Sequence, residues 1–317
     1  MNSGIAFIAS HLNIAGDLPT EILPGHILRR ARETEIALIR EYLGQLSPRA
    51  HVQWVNYESV VKEERYEGRT NLHFDHLPSE QWKYWVIAFE GSNQLIHEIE
   101  TIGCLLPVDF DFAFQVYFSL PDQQGERMGW SLAPMHIIEK YTSHEQIFRN
   151  AQELTTDQIA GIAQQLKLYR DASGSHAFVS NALQTYTALR RVPASYGLYV
   201  VGLFSIIESL ITHAPRLTET LDSINHQITN KIILLRKRYS SSIIPNSYFL
   251  HAGEESVWKK LYSYRSGVAH GSTITFDGDL QILKGHTEVV RFLRDNVREL
   301  IALGLREPEF LNDLRKC

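Results

Sequence analysis

The chain has 317 residues, of which 44% are hydrophobic and 21% charged, with a net charge of −5. That balance excludes a chain dominated by disorder and is long enough for two domains of ordinary size. Two cysteines, Cys104 and Cys317, support neither a disulfide framework nor a cysteine-based zinc site, so a reducing cytoplasm is the simplest compartment.

The N-terminus carries no basic stretch before its short apolar patch. The best apolar run, residues 198–211, is too short for a bilayer and contains Glu208. No targeting segment and no membrane association are expected. Residues 1–24 show no clear period. After them Ile27, Leu28, Ala31, Glu35, Leu38, Ile39, Tyr42, Leu43 and Leu46 recur at three- and four-residue steps, predicting a helix that ends near residues 44–48. Aromatic and β-branched runs at residues 51–61 and 82–90 predict strands. Between the strands, Leu95, Ile96, Ile99, Ile102 and Leu106 predict a short helix. Phe110, Phe112, Phe114, Val116 and Phe118 then alternate at period two, which predicts a strand with one buried face and with Asp109 and Asp111 on an exposed opposite face.

From residue 143 the pattern turns helical, first over residues 147–154. Thr155 and Gln158 have capping-box spacing and open a helix to Tyr169, broken at Ala172-Ser173-Gly174-Ser175; another runs over residues 176–191 until Pro193. The change of period, between residues 138 and 155, predicts an α+β chain. Its N-terminal mixed α/β domain would span residues 1–142. A C-terminal all-α bundle with a small β-hairpin insertion would span residues 143–317, with its core at 196–317. Residues 196–317 carry 15 Lys and Arg against 13 Asp and Glu, and residues 1–195 carry 16 against 23. This asymmetry permits a basic surface in the C-terminal part without nominating nucleic acid.

Four helices are predicted after Pro193. Residues 196–213 are apolar nearly all round, the mark of a buried central helix, and Glu208 within it needs a partner. Residues 218–239 end in Arg236, Lys237 and Arg238, which suit either the negative end of a helix dipole or a phosphate site. Residues 254–269 place Trp258, Leu261, Tyr262, Arg265 and Ala269 on one stripe, so Arg265 stands where a core residue is expected. His270 ends this helix, Gly271 suits the position just past its C-cap, and Ser266, four residues before His270, shares its face. Residues 272–283 read as a hairpin turning at Asp277-Gly278-Asp279, and residues 286–304 as the last helix.

The stretch Trp258-Lys-Lys-Leu-Tyr-Ser-Tyr-Arg-Ser-Gly-Val-Ala-His-Gly271, with Arg265 and His270 in Arg-x-x-x-x-His spacing, resembles the Apea-like branch of the HEPN (higher eukaryotes and prokaryotes nucleotide-binding) superfamily. The resemblance covers residues 196–271, extends loosely to the C-terminus, and does not reach residues 1–140. It implies a HEPN-like bundle, a homodimer whose two motifs share a cleft, RNA as substrate, and endoribonuclease activity without metal or other cofactor. It also implies a prokaryotic setting such as phage defence or a toxin-like stress response.

The residue types suit that chemistry. A ribose 2′-OH attacking the adjacent phosphorus needs a proton acceptor and a stabiliser of phosphoryl charge, which His270 and Arg265 match, with Ser266 as a further donor. Glu208, Tyr262 and Gly271 would support the site. The competing reading keeps the same helices as a non-catalytic dimerisation scaffold, with Arg265 paired to Glu208 and His270 as a helix-terminal residue. Either way, the N-terminal domain would recognise a trigger, a partner or the substrate.

Elsewhere, His73, Asp75 and His76 lack a fourth ligand and read as surface residues. The Phe-rich strand reads as core sooner than as a base-stacking platform. No dinucleotide, P-loop or hydrolase-elbow motif occurs.

Overall fold

The structure, a computed structural model, describes residues 3–46, 55–66, 69–91, 93–118, 127–132, 141, 151–215 and 223–317. The chain divides into two compact units, Met1–Gln164 and Gln165–Cys317. It is mixed α and β, with the sheets in the first unit and helices forming the second.

The first unit is built on a six-stranded antiparallel sheet in the order β3-β4-β7-β1-β8-β9. Its strands are β1 (Ser3–Ile8), β3 (Thr20–Leu23), β4 (His26–Arg30), β7 (Trp85–Glu90), β8 (Phe112–Phe118) and β9 (Arg127–Leu132). β2 (Leu12–Ala15) pairs in parallel with β10 (Gln152–Thr155), and β5 (Ser59–Tyr66) forms a separate hairpin with β6 (Arg69–His76). Among the described residues, the helices ahead of β10 are α1 (Glu33–Leu46), the single turn α2 (Val55–Glu58) and α3 (Gln94–Gly103). One core cluster joins Ile39, Tyr42 and Leu43 of α1 to Ile5 and Phe7 of β1, Val86 of β7 and Phe114 and Val116 of β8.

The strands at residues 82–90 and 110–118 and the helix near residue 95 form close to where the periodicity places them. Several expectations in this unit are corrected. Residues 55–58, expected within a strand over 51–61, form the turn α2, β5 begins only at Ser59, and residues 51–54 lie outside the described residues. The helix predicted from residue 27 begins at Glu33; residues 26–30 are strand β4, because Ile27 and Leu28 are held by hydrogen-bonding to β7 and the three- and four-residue spacing there is coincidental. Residues 152–155, expected in a helix, pair with β2 instead, while residues 142–150 lie outside the described residues. This pairing returns the chain to the first unit after residue 142, so the division falls at residue 164.

Asp111 is not on an exposed face either. β8 lies inside the sheet, both of its faces are covered, and Asp111 is buried, accepting a hydrogen bond from the Tyr141 hydroxyl. The aromatic strand is therefore core and offers no platform for bases.

At the centre of the sheet Gly4 lies between β7 and β8. A Cβ there would sit 2.5 Å from both Phe89 Cζ and the Val116 carbonyl oxygen. The carbonyl is fixed by the strand ladder and cannot give way, so Gly4→Ala is expected to cost about 1–3 kcal/mol. Urea unfolding of the variant against the native chain measures it; an unchanged midpoint would contradict the close packing.

The second unit takes the end of α4 (Thr156–Ser175), then α5 (Ala177–Leu189), α6 (Gly197–Ile211), α7 (Ile224–Leu235), α8 (Glu254–Ala269), α9 (His286–Arg306) and α10 (Pro308–Lys316). The expected capping box opens α4: the Thr155 N–H donates to Gln158 Oε1 at 2.9 Å, and the Gln158 N–H to Thr155 Oγ1 at 3.2 Å. α4 runs through Ala172–Ser175 without breaking, with Ser173 Oγ and Ser175 Oγ donating to carbonyls four residues back, so the serines join the helix they were expected to end.

α6 is the buried central helix the sequence predicts. The expected hairpin at residues 272–283 is absent: Gly278–Leu283 forms 3₁₀ turns and no strand pairs there. Ile274 and Phe276 pack back on α8 at Gly267 and Tyr264, and this burial replaces cross-strand pairing. Residues 218–222, expected as the start of α7, lie outside the described residues.

Candidate functional site

The Arg-x-x-x-x-His motif occupies the last turns of α8. Val257, Trp258, Leu261 and Tyr264 bury one stripe of this helix, and Glu254 and Glu255 lie in its first turn, at the positive end of the helix dipole. The helix stops by a Schellman arrangement: the Ser272 N–H donates to Gly267 O at 2.9 Å and the Gly271 N–H to Val268 O at 3.1 Å. Gly271 takes φ +69°, a left-handed conformation that glycine adopts without steric cost, as its position after His270 predicts.

His270, the residue before it, is exposed, and its imidazole makes no hydrogen bond or ion pair to a described residue. Ser266 is half-buried, and its carbonyl accepts the His270 N–H at 3.0 Å.

Arg265 lies at the edge of the core and not within it, 24% exposed against 23% for Glu208. Its Nη2 is 3.3 Å from Glu208 Oε1 and donates to Oε2 at 3.5 Å. The guanidinium also lies 5.6 Å from the centre of the Tyr262 ring, which itself packs edge-on against Phe204 of α6 at 6.1 Å. Glu208 and Tyr262 thus hold Arg265 between them, the carboxylate from α6 and the ring from one turn earlier on α8. Because Arg265 engages Glu208 through Nη2 alone, the rest of its donor fork is uncommitted among the described residues.

Burial raises the Glu208 carboxyl above the ordinary glutamate value, and the charge of Arg265 only partly opposes the shift. Folded Glu208 therefore keeps a proton that the unfolded chain has already released, so its linkage lowers stability as pH rises from the ordinary glutamate range through the raised folded value. Glu208→Gln is expected to flatten that fall and leave stability near neutrality equal or higher. Urea unfolding between about pH 4 and pH 7 tests it, and a variant markedly weaker at neutral pH would show that the ion pair outweighs the burial cost.

Compared with protein-family models, curated proteins and solved structures, the chain matches none.

The structure also brings to this helix a residue to which the sequence gave no role. His286, at the start of α9, lies with Nε2 2.7 Å from Ala194 O and Nδ1 2.7 Å from the Tyr264 hydroxyl. A carbonyl only accepts, so in the neutral ring Nε2 carries the hydrogen and Nδ1 accepts from Tyr264. Nothing in the spacing of Ala194, Tyr264 and His286 signals this link, which depends on how three segments pack. Close by, a Cβ on Gly197 would meet Val268 Cγ1 at 2.7 Å, so the start of α6 presses on the end of α8 and leaves the flanking Tyr196 and Leu198 exposed beside it.

Two members of the basic run are engaged within the fold, and Lys237 between them is exposed. Arg236 pairs with Glu254, while Arg238 Nη2 is 2.5 Å from Glu307 Oε2 and its guanidinium lies 4.4 Å from the centre of the Phe310 ring. His73 and Asp75 are exposed on the β5–β6 hairpin, where they meet Glu64 and Lys62, and the His76 ring meets Ser59. Among the described residues no group of three His, Cys, Asp or Glu could hold a metal, and no helix is long and apolar enough to cross a membrane.

Proposed function

We propose that the second unit is a HEPN-type endoribonuclease that cleaves RNA without a metal, with Arg265 and His270 as its catalytic pair and a second copy of the chain completing the cleft. The observation that carries this reading is the exposed, unengaged imidazole of His270 at the rigidly capped end of the helix that holds Arg265. His270 takes the proton of a ribose 2′-OH, the 2′-oxygen attacks the adjacent phosphorus, and the bond to the 5′-oxygen breaks. The second copy's imidazolium returns a proton to that 5′-oxygen. Arg265 donates to the non-bridging oxygens, where charge develops, and Ser266 adds a further donor. Exposed Tyr196 and Leu198 beside the motif support self-association there. The first unit would recognise a trigger, a partner or the substrate, in phage defence or a toxin-like stress response.

The test is cleavage of single-stranded and transfer RNA by the purified chain in excess chelator. Fragments ending in cyclic phosphate are expected, and fragments that vanish with chelator would reject the reading.

The contact between Arg265 and Glu208 favours a second reading, a non-catalytic dimerisation scaffold in which Arg265 only compensates a half-buried carboxylate. A folded dimer that cuts no RNA, and that loses stability on Arg265→Ala, is its expected signature.

A further inference from the structure

His286 is the first residue of α9, the long helix that buries Val289, Leu293, Val297, Leu300 and Ile301 in the core of the second unit. Its backbone is therefore anchored from behind. From that base the imidazole reaches two other segments, with Nε2–H donating to the Ala194 carbonyl at 2.7 Å and Nδ1 accepting from the Tyr264 hydroxyl at 2.7 Å. One ring ties α9, the approach to α6 and the body of α8 together.

Tyr264 immediately precedes Arg265 and is 5% exposed, with its ring 5.1 Å from that of Phe276 and 6.2 Å from that of His286. Burial raises its hydroxyl above the ordinary tyrosine value, so the group stays protonated and remains a donor. Val268, four residues on and on the same side of α8, closes on the start of α6, where a Cβ at Gly197 would lie 2.7 Å from its Cγ1. The side of α8 that carries Tyr264 and Val268 is thus held to residues 194–197, while Arg265 meets Glu208 farther along α6. His270 follows Val268 by two residues, and its own imidazole makes no hydrogen bond or ion pair to a described residue. Its place is set by the turn that carries it.

We propose that His286 is a positioning residue for the motif: by bridging Ala194 and Tyr264 it locks the last turns of α8 against the start of α6, and so sets where His270 stands relative to Arg265. What the locked motif does rests on the nuclease reading; the lock itself does not.

The experiment compares the native chain with His286→Ala, with Tyr264→Phe, and with His286→Gln, whose amide offers one donor to Ala194 and one acceptor to Tyr264. RNA cleavage in excess chelator is measured well below every unfolding midpoint, and hydrogen exchange is followed at the backbone amides of residues 267–272. His286→Ala and Tyr264→Phe are expected to lower kcat roughly tenfold, with KM within about twofold of native, and to speed exchange at these amides roughly tenfold, the equivalent of one hydrogen bond. Exchange in the centres of α6 and α9 stays native. His286→Gln restores both readouts toward native.

The proposal is overturned if His286→Ala and Tyr264→Phe leave exchange at residues 267–272 at the native rate, or if exchange rises evenly across the second unit, since His286 then only adds stability. Native kcat in a variant whose exchange has risen also overturns it. Failure of the nuclease reading has a different signature: no chain cuts RNA, and the exchange result alone then decides the lock. Should His286→Ala not fold, Tyr264→Phe, which removes a single oxygen, carries the test. In the native chain the His286 nitrogen resonances must report the Nε2–H tautomer at about pH 8, above the ordinary imidazole range, and the Nδ1–H form would exclude the bridge.

Discussion

Replacing His270 by alanine is expected to lower RNA cleavage by about 10²- to 10⁴-fold, the range for removal of a general acid–base group, while leaving the fold intact. The separation of the two effects follows from where the residue lies. Its imidazole is exposed and contributes no contact to the core, and the end of α8 is capped by backbone bonds from Ser272 and Gly271 that alanine would leave in place. Exposed substitutions of this kind shift stability by no more than about 0.5 kcal/mol.

Initial rates on a transfer RNA substrate in excess chelator, with thermal midpoints of both proteins, give the answer. Equal midpoints with cleavage lost establish His270 as catalytic. Equal midpoints with cleavage retained would remove His270 from the mechanism, and the nuclease assignment with it. Arg265→Ala is a less clean probe. It removes the phosphate donor but also leaves Glu208 half-buried without its cation, so activity and stability fall together.

The largest loss of stability is expected at Trp258. Its side chain is 1% exposed on the buried stripe of α8, and its ring lies 5.5 Å from Phe292 of α9, which in turn meets Tyr248 at 5.3 Å and Phe249 at 5.0 Å. Trp258→Ala removes the anchor of this aromatic group and leaves a cavity that rigid helices cannot close, at a cost of about 3–5 kcal/mol.

Trp258→Phe is expected to cost far less. The indole Nε1 is buried without a hydrogen-bond partner among the described residues, so its loss leaves no acceptor stranded, and the phenyl ring keeps most of the packing. Urea unfolding followed by the helical signal in circular dichroism measures both variants. Similar midpoints for Ala and Phe would mean that the aromatic group contributes little to the second unit.

The sequence carried the helical part of the chain well because its signals are local. The apolar run of α6, the capping box at Thr155 and Gln158, and Gly271 after His270 each depend on residues a few positions apart, and each has its expected form. The motif was legible for the same reason, since Arg265, Ser266, His270 and Gly271 lie within two turns of one helix. The requirement that Glu208 find a partner was legible too, because a carboxylate inside an apolar helix demands one.

The β-rich part was less legible. β1 is buried on both faces and shows no alternation, so residues 1–24 seemed featureless although they supply the centre of the sheet. β4 was hidden by a chance helical spacing, and β10 by a short segment whose partner lies far back in the chain at β2.

By itself, then, the sequence determined the mixed class, the order of most helices and the residues of the motif, all of which rest on side chains close together along the chain. Only the tertiary structure decided which strands pair, that Asp111 is buried, that Arg265 meets Glu208 and Tyr262 at the rim of the core, and that His286 joins Ala194 to Tyr264. Those outcomes belong to contacts between distant segments, where hydrogen bonds and burial compete across the whole unit and local pattern carries no record of the result.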